Sequence, residues 1–141
     1  MIRKIVSPNN SLKNEIEELV TLCKQLEDEN TFLFNDGIEE ETISDWEKNN
    51  GIKLPETYKD WLRFSNGAIV KGTLARLYKL EQIMFNSGEV SEDFIVIGEM
   101  IGDGTRLCFE KNTGEFVVLY HTRQRKYANF GMIINKIMDM M

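Results

Sequence analysis

The chain has very few of the residues that most often build catalytic and metal sites. Its 141 residues include one histidine, His121, and two widely separated cysteines, Cys23 and Cys108. A single histidine excludes a site with two histidine ligands, and the cysteines do not have zinc-motif spacing. A Cys–His nucleophilic pair would need His121, at the end of a predicted strand, to reach a thiol. The sequence therefore predicts no catalytic residue, no metal site and no cofactor.

Long hydrophobic runs and a cysteine framework are also missing. No stretch approaches the ~18 apolar residues that cross a bilayer, and no apolar run after Arg3 and Lys4 has the length of a signal peptide. Cys23 lies on the apolar face of a predicted helix and Cys108 within a strand-like run, which indicates two reduced core thiols. We therefore expect a cytoplasmic protein that does not act at a membrane.

Bases are absent from two acidic stretches, and the net charge is −6. Residues 27–47 contain nine acids and residues 89–103 contain five, with no lysine or arginine in either stretch. Such stretches repel nucleic-acid phosphates and attract a basic partner, although a solvated acidic surface is the plain alternative. The cluster Arg123, Arg125 and Lys126 is too small to predict nucleic-acid binding.

Hydrophobic periodicity predicts two helices before a distinctive third one. Residues 11–28 form an amphipathic pattern with Asn10 or Ser11 as the N-cap. A second, acidic helix is expected over about residues 39–49, with Trp46 facing inward and Gly51 ending it.

The third helix is predicted to begin at Pro55, whose fixed φ suits the first helical position. Tyr58, Trp61 and Leu62 follow at the spacing of one helix face, and Asn66-Gly67 ends the segment. These aromatic residues are interpreted first as core anchors.

The second half of the chain changes to strand patterns. Residues 94–97 predict a central strand that ends at Gly98, and residues 106–110 and 115–121 predict a hairpin whose turn contains Gly114. Residues 74–80 alternate without a clear buried face, and a short helical turn is expected at residues 81–86.

A closing helix is predicted over about residues 129–140, packed on the sheet, and Gly102-Asp103-Gly104 is expected to form a tight turn between strands. Helices, then consecutive strands, then a helix predict an α+β fold with an antiparallel sheet and a single domain over residues 1–141.

Short motifs follow the acidic helix in a defined order. They are Trp46-Glu47, Gly51-x-x-Leu54-Pro55, Tyr58-x-x-Trp61-Leu62 and Asn66-Gly67. This order resembles the SUKH superfamily, whose founding member is a fungal regulator of cell-wall synthesis. Two later segments, Gly102-Asp103-Gly104 with the strand after it and Ala128-x-Phe130, extend the resemblance to about residues 38–138. Ala68 and Glu110 depart from the family pattern, which has a second glycine and commonly an aspartate there.

The resemblance implies a non-enzymatic domain that binds a protein. Bacterial members are commonly immunity proteins that neutralise polymorphic toxins, many of them nucleases, so a basic toxin domain is the expected partner. We expect the motif residues to be mainly structural. The predicted partner-binding residues are the acids Glu39, Glu40, Glu41, Glu92, Asp93, Glu99 and Asp103. The alternatives are an endogenous scaffolding or regulatory module and an enzyme with an unforeseen cleft.

Overall fold

The computed structural model describes residues 6–25, 33–70, 74–86, 93–121 and 123–141. The helices are α1 (Lys13–Gln25), α2 (Glu40–Asn50), α3 (Glu56–Phe64) and α4 (Phe130–Asp139), with a 3₁₀ helix at Leu80–Asn86. The strands are β1 (Leu33–Phe34), β2 (Ala68–Val70), β3 (Ala75–Leu77), β4 (Phe94–Met100), β5 (Thr105–Glu110), β6 (Phe116–Tyr120) and β7 (Arg123–Tyr127). This order of elements confirms the predicted α+β class.

The seven strands of the described residues form one antiparallel sheet in which each strand pairs with the next one along the chain. The central position predicted for β4 is correct, but the prediction that Gly98 ends this strand is wrong. A register shift between Val96 and Gly98 lets β4 continue to Met100 beside β5. A Cβ atom at Gly98 would lie 2.6 Å from the carbonyl oxygen of Arg76, so this glycine serves close approach to β3.

The predicted hairpin is confirmed as β5 and β6. The N–H of Glu110 donates to the carbonyl of Glu115 at 2.9 Å, and Gly114 has a φ of 73° in the turn. β6 ends one residue before the predicted limit, because His121 has a φ of 54° and turns the chain into β7. The strand predicted over residues 74–80 is shorter, since only Ala75–Leu77 pairs on both sides and the 3₁₀ helix begins at Leu80.

The helix ends differ slightly from the predicted ones. Asn10 accepts a hydrogen bond from the N–H of Leu12 at 2.8 Å, as expected of a capping residue, and α1 begins at Lys13. The predicted end of this helix, at residues 26–28, lies outside the described residues. Pro55 occupies the N-cap position and not the first helical position, because its ψ of 142° is extended, although its φ of −58° already suits the helix.

The aromatic cluster of the core lies between α3, α4 and the sheet. Trp61 and Tyr58 from α3 are 0% and 1% exposed. Their rings lie 5.7 Å and 5.4 Å from the ring of Phe130 at the start of α4, and Phe130 in turn lies 5.5 Å from Phe116 of β6. Burial of each such side chain contributes about 1.5–3 kcal/mol, so this aromatic cluster fixes α3 and α4 on the sheet. The expectation that the aromatics of α3 are core anchors is confirmed.

Candidate functional site

The family-motif carboxylate Glu47 joins α2 to the chain that enters α3. Its Oε2 accepts the N–H of Leu54 at 2.7 Å, and its Oε1 lies 3.4 Å from Nζ of Lys59. Lys59 is buried, and its Nζ also lies 3.3 Å from Oε1 of a second carboxylate, that of Glu56. A buried ammonium needs such partners, because an uncompensated buried charge is strongly destabilising.

The remaining residues of this motif are also built into the scaffold. Gly51 ends α2 with a φ of 63°, and its N–H donates to the carbonyl of Glu47 at 2.9 Å. Leu54 is 1% exposed and Leu62 is fully buried, while Trp46 is half-buried against the core.

Asn66-Gly67, which directly follows α3, contacts three separate segments of the chain. Oδ1 of Asn66 accepts the N–H of Leu80 at 2.7 Å, and its backbone N–H donates to the carbonyl of Asp36 at 3.0 Å. A Cβ atom at Gly67 would lie 2.8 Å from the carbonyl oxygen of Leu77, and the φ there is 79°. Only glycine fits this position without displacing β3.

Three of the predicted partner-binding acids lie together at the beginning of α2. Glu39, Glu40 and Glu41 are exposed, but the charge of Glu40 is already matched. Nε and Nη2 of Arg63 donate to its carboxylate at 2.8 and 2.9 Å, and this side-chain hydrogen bond lowers the pKa of Glu40. Arg63 also donates to Asp60 at 2.6 Å. Glu39 and Glu41 therefore remain as the charges of this group that are open to a partner.

The other predicted acids are spread along β4 and are not brought together with the first three. Asp93 precedes β4 and Asp103 follows it, so about 20 Å of strand separates them. Glu99, within β4, forms an ion pair with Arg106 at 2.5 Å. Burial, together with the nearby charge of Glu99, raises the pKa of Tyr78 to about 12. Glu92 lies outside the described residues.

A basic groove lies beside Asp103. We use this name for the space of about 440 Å³ between the sheet and the end of α4. It is lined by Met100, Asp103, Thr105, Val118, Tyr120, Arg123, Gln124, Arg125, Tyr127, Lys136 and Met140. Met100, Thr105 and Val118 are buried, whereas Arg123 and Arg125 are exposed on β7.

The cations of the basic groove differ from Arg63 and Arg106 in having no carboxylate partner. Within the described ranges, Arg123, Arg125 and Lys136 form no ion pair at 4.0 Å or less. The guanidinium of Arg125 lies 5.9 Å from the ring centre of Tyr127, which is a cation–π distance. Asp103 is the one acid in the lining, and the N–H of Thr105 donates to it at 2.9 Å and lowers its pKa.

Sequence reasoning missed this groove. In the sequence, the segment Arg123–Tyr127 indicates only a small basic cluster, while the structure makes it the edge strand β7 of the described sheet. The signal that could have found it is the alternation of Arg123, Arg125 and Tyr127, which places these three side chains on one face of a strand.

The two thiols are core residues, as expected. Cys23 and Cys108 are free and fully buried, and burial raises the pKa of each to about 12. Thiols of this kind are inert at neutral pH because the thiolate is the nucleophile.

Among the residues that the structure describes, no group of three or more metal-ligating side chains is found. Nor does any helix in the described ranges have the length and apolar character needed to cross a membrane.

Comparison with known proteins finds one family model that matches this chain. The model of the SMI1 / KNR4 family (SUKH-1) matches residues 37–136. These residues extend from the segment before α2 into α4 and include strands β2 to β7. No curated protein matched the chain. The match covers more than half of the chain and nearly the same range as the resemblance noted from the motifs. The chain therefore belongs to the SMI1 / KNR4 family (SUKH-1).

Proposed function

We propose that this protein is a non-enzymatic, cytoplasmic immunity protein that binds and neutralises a cognate polymorphic toxin, such as a nuclease. The observation that carries the proposal is membership of the SMI1 / KNR4 family, which supports a toxin-immunity or cell-wall-regulator-like domain. The net charge of −6 adds a physical reason, because an acidic protein is steered towards a basic toxin surface and competes there with substrate phosphates.

The beginning of α2 is the acidic surface that best suits this role. Glu39 and Glu41 are exposed and have no cationic partner within the described residues. Glu40 and Glu99 are less suitable, because Arg63 and Arg106 already neutralise their charges. We therefore assign the electrostatic contact with the toxin mainly to Glu39 and Glu41.

An affinity pull-down from the native cell lysate, followed by mass spectrometry at low and moderate salt, tests the proposal. We expect one basic partner with a toxin-like domain. Reversal of both charges, by Glu39→Lys and Glu41→Lys, should weaken its binding about tenfold or more. The matched control reverses the exposed Glu17 and Glu18 of α1 and should change little. Unchanged toxin binding by the α2 variant would contradict the electrostatic part of the proposal.

An endogenous scaffolding or regulatory module is the second candidate, because membership of the SMI1 / KNR4 family supports a cell-wall-regulator-like domain as well as a toxin-immunity domain. Recovery of housekeeping wall or signalling proteins, without a toxin, would favour it. A gene for a large toxin next to the gene for this protein would favour immunity. Nucleic-acid binding is disfavoured by the net charge, and a gel shift with mixed-sequence DNA at low salt should show no complex.

A further inference from the structure

We propose that the basic groove and the free edge of β7 bind an extended acidic segment of the protein partner, which joins the sheet as an additional strand. The proposal rests on the function proposed above and deepens it by giving the chemistry of one partner segment. That segment has carboxylates at alternate positions and a β conformation when bound.

The backbone of β7 is available for such an addition. β7 pairs with β6 over all five of its residues, and no strand in the described part of the chain lies along its other edge. An edge of this kind presents a row of N–H and C=O groups, and an extended peptide that pairs with them gains main-chain hydrogen bonds.

The side chains on β7 give the addition its charge preference. Arg123 and Arg125 lie opposite Tyr120 and Val118 of β6, and so both lie on the face of the sheet that carries α4. Alternate residues of a strand are about 6.6 Å apart, so carboxylates at alternate positions of an incoming strand match this spacing. Lys136 of α4 adds a third cation to the same groove.

Acidic partners are favoured over the other occupants of this edge. A second copy of β7 would place arginines beside arginines, and like charges that face each other across strands are destabilising. A small anion would use the cations but could not pair with the N–H and C=O groups along the edge of β7. An extended acidic peptide uses both the backbone edge of β7 and the cations of the groove.

The test is a titration of the full chain, labelled with ¹⁵N, with a short synthetic peptide of alternating Glu and Val. We expect shifts of the backbone amides of β7, β6 and the end of α4, weakened by salt. The same peptide with alternate amide nitrogens methylated keeps its charge but cannot pair fully with a strand. Its affinity should therefore be lower by about tenfold or more. Equal binding of the methylated peptide would overturn strand addition.

Charge variants complete the test. Arg123→Glu with Arg125→Glu should weaken binding of the Glu-Val peptide by about tenfold or more, because two attractive pairs become repulsive. Lys111→Glu, in the exposed turn between β5 and β6, is the matched control and should leave binding unchanged. The proposal is overturned if the peptide causes no shifts at millimolar concentration, or if pyrophosphate alone shifts the same amides and the peptide does not.

This experiment does not need the native partner. Failure of the peptide titration leaves the immunity proposal standing on the pull-down. Conversely, an eluate without a toxin contradicts immunity while the peptide result still decides what β7 binds.

Discussion

Replacement of Glu47 by alanine should destabilise the protein far more than a surface carboxylate would. Its side chain is only 20% exposed, and its two oxygens hold the N–H of Leu54 and the ammonium of Lys59. A hydrogen bond to a charged group contributes about 1.5–3 kcal/mol. Loss of one partner of a buried ion pair costs about 3–5 kcal/mol, and Glu56 remains beside Lys59 to reduce that loss. We therefore expect Glu47→Ala to lower the free energy of unfolding by about 3 kcal/mol.

Urea unfolding, followed by tryptophan fluorescence, measures this change because Trp61 is fully buried in the folded state. With an m-value of about 2 kcal/mol/M, the midpoint should fall by about 1.5 M. Glu41→Ala, on the exposed face of the same helix, should stay within about 0.5 kcal/mol of the parent protein. Adding Lys59→Met to Glu47→Ala should recover stability, because the buried ammonium is removed. If Glu47→Ala behaves like Glu41→Ala, the structural role assigned to this motif residue is wrong.

Three further predictions concern the core, a turn and the thiols. Tyr58→Phe should leave stability unchanged or raise it by up to about 1 kcal/mol in the same urea assay, because the buried hydroxyl has no hydrogen-bond partner among the described residues; a clear loss would refute this. Gly67→Ala should cost about 2 kcal/mol or more, and Gly114→Ala about 1 kcal/mol, since both have positive φ but only Gly67 meets backbone atoms within 3 Å; equal losses would exclude the steric contribution. Burial raises the pKa of Cys23 and Cys108 to about 12, whereas the pKa of a thiol in the unfolded chain is about 8.5. The unfolded state therefore loses protons first, so the free energy of unfolding should fall from about pH 8.5 towards pH 12, and Cys108→Ala should make the fall less steep; an unchanged slope would contradict the raised pKa.

The parts of the fold that sequence predicts well are those with a strong apolar period or a glycine turn. α3 and α4 belong here because one face of each is buried and the other is polar, and the β5–β6 hairpin belongs here because a turn that contains Gly114 separates two apolar runs. β1 and β2 were missed because strands of two and three residues are too short to show alternation. The length of β4 was missed because Gly98 indicates a stop in sequence, while in the sheet it allows close contact with β3.

The candidate site was predicted less well than the fold, for a physical reason. Four of the five residues of β7 are exposed, so its sequence lacks the apolar alternation that indicates a strand. The basic groove also needs Lys136 and Met140 from α4 beside Arg123 and Arg125, which depends on how the last helix packs. Similarly, the acidic stretches are visible in sequence, but the pairing of Glu40 with Arg63 joins segments that sequence alone does not bring together.

The neighbour-to-neighbour order of the sheet has a consequence for the way the chain folds. Every strand pairing joins consecutive strands, so β5–β6 and β6–β7 close only short loops and can form early. The contact of α1 with α4, where Glu15 lies beside Gly131, joins segments roughly 100 residues apart and closes the largest loop. Native-state hydrogen exchange should therefore show α1 opening at lower free energy than the central strands, as a separate cooperative unit at the margin of a more persistent sheet.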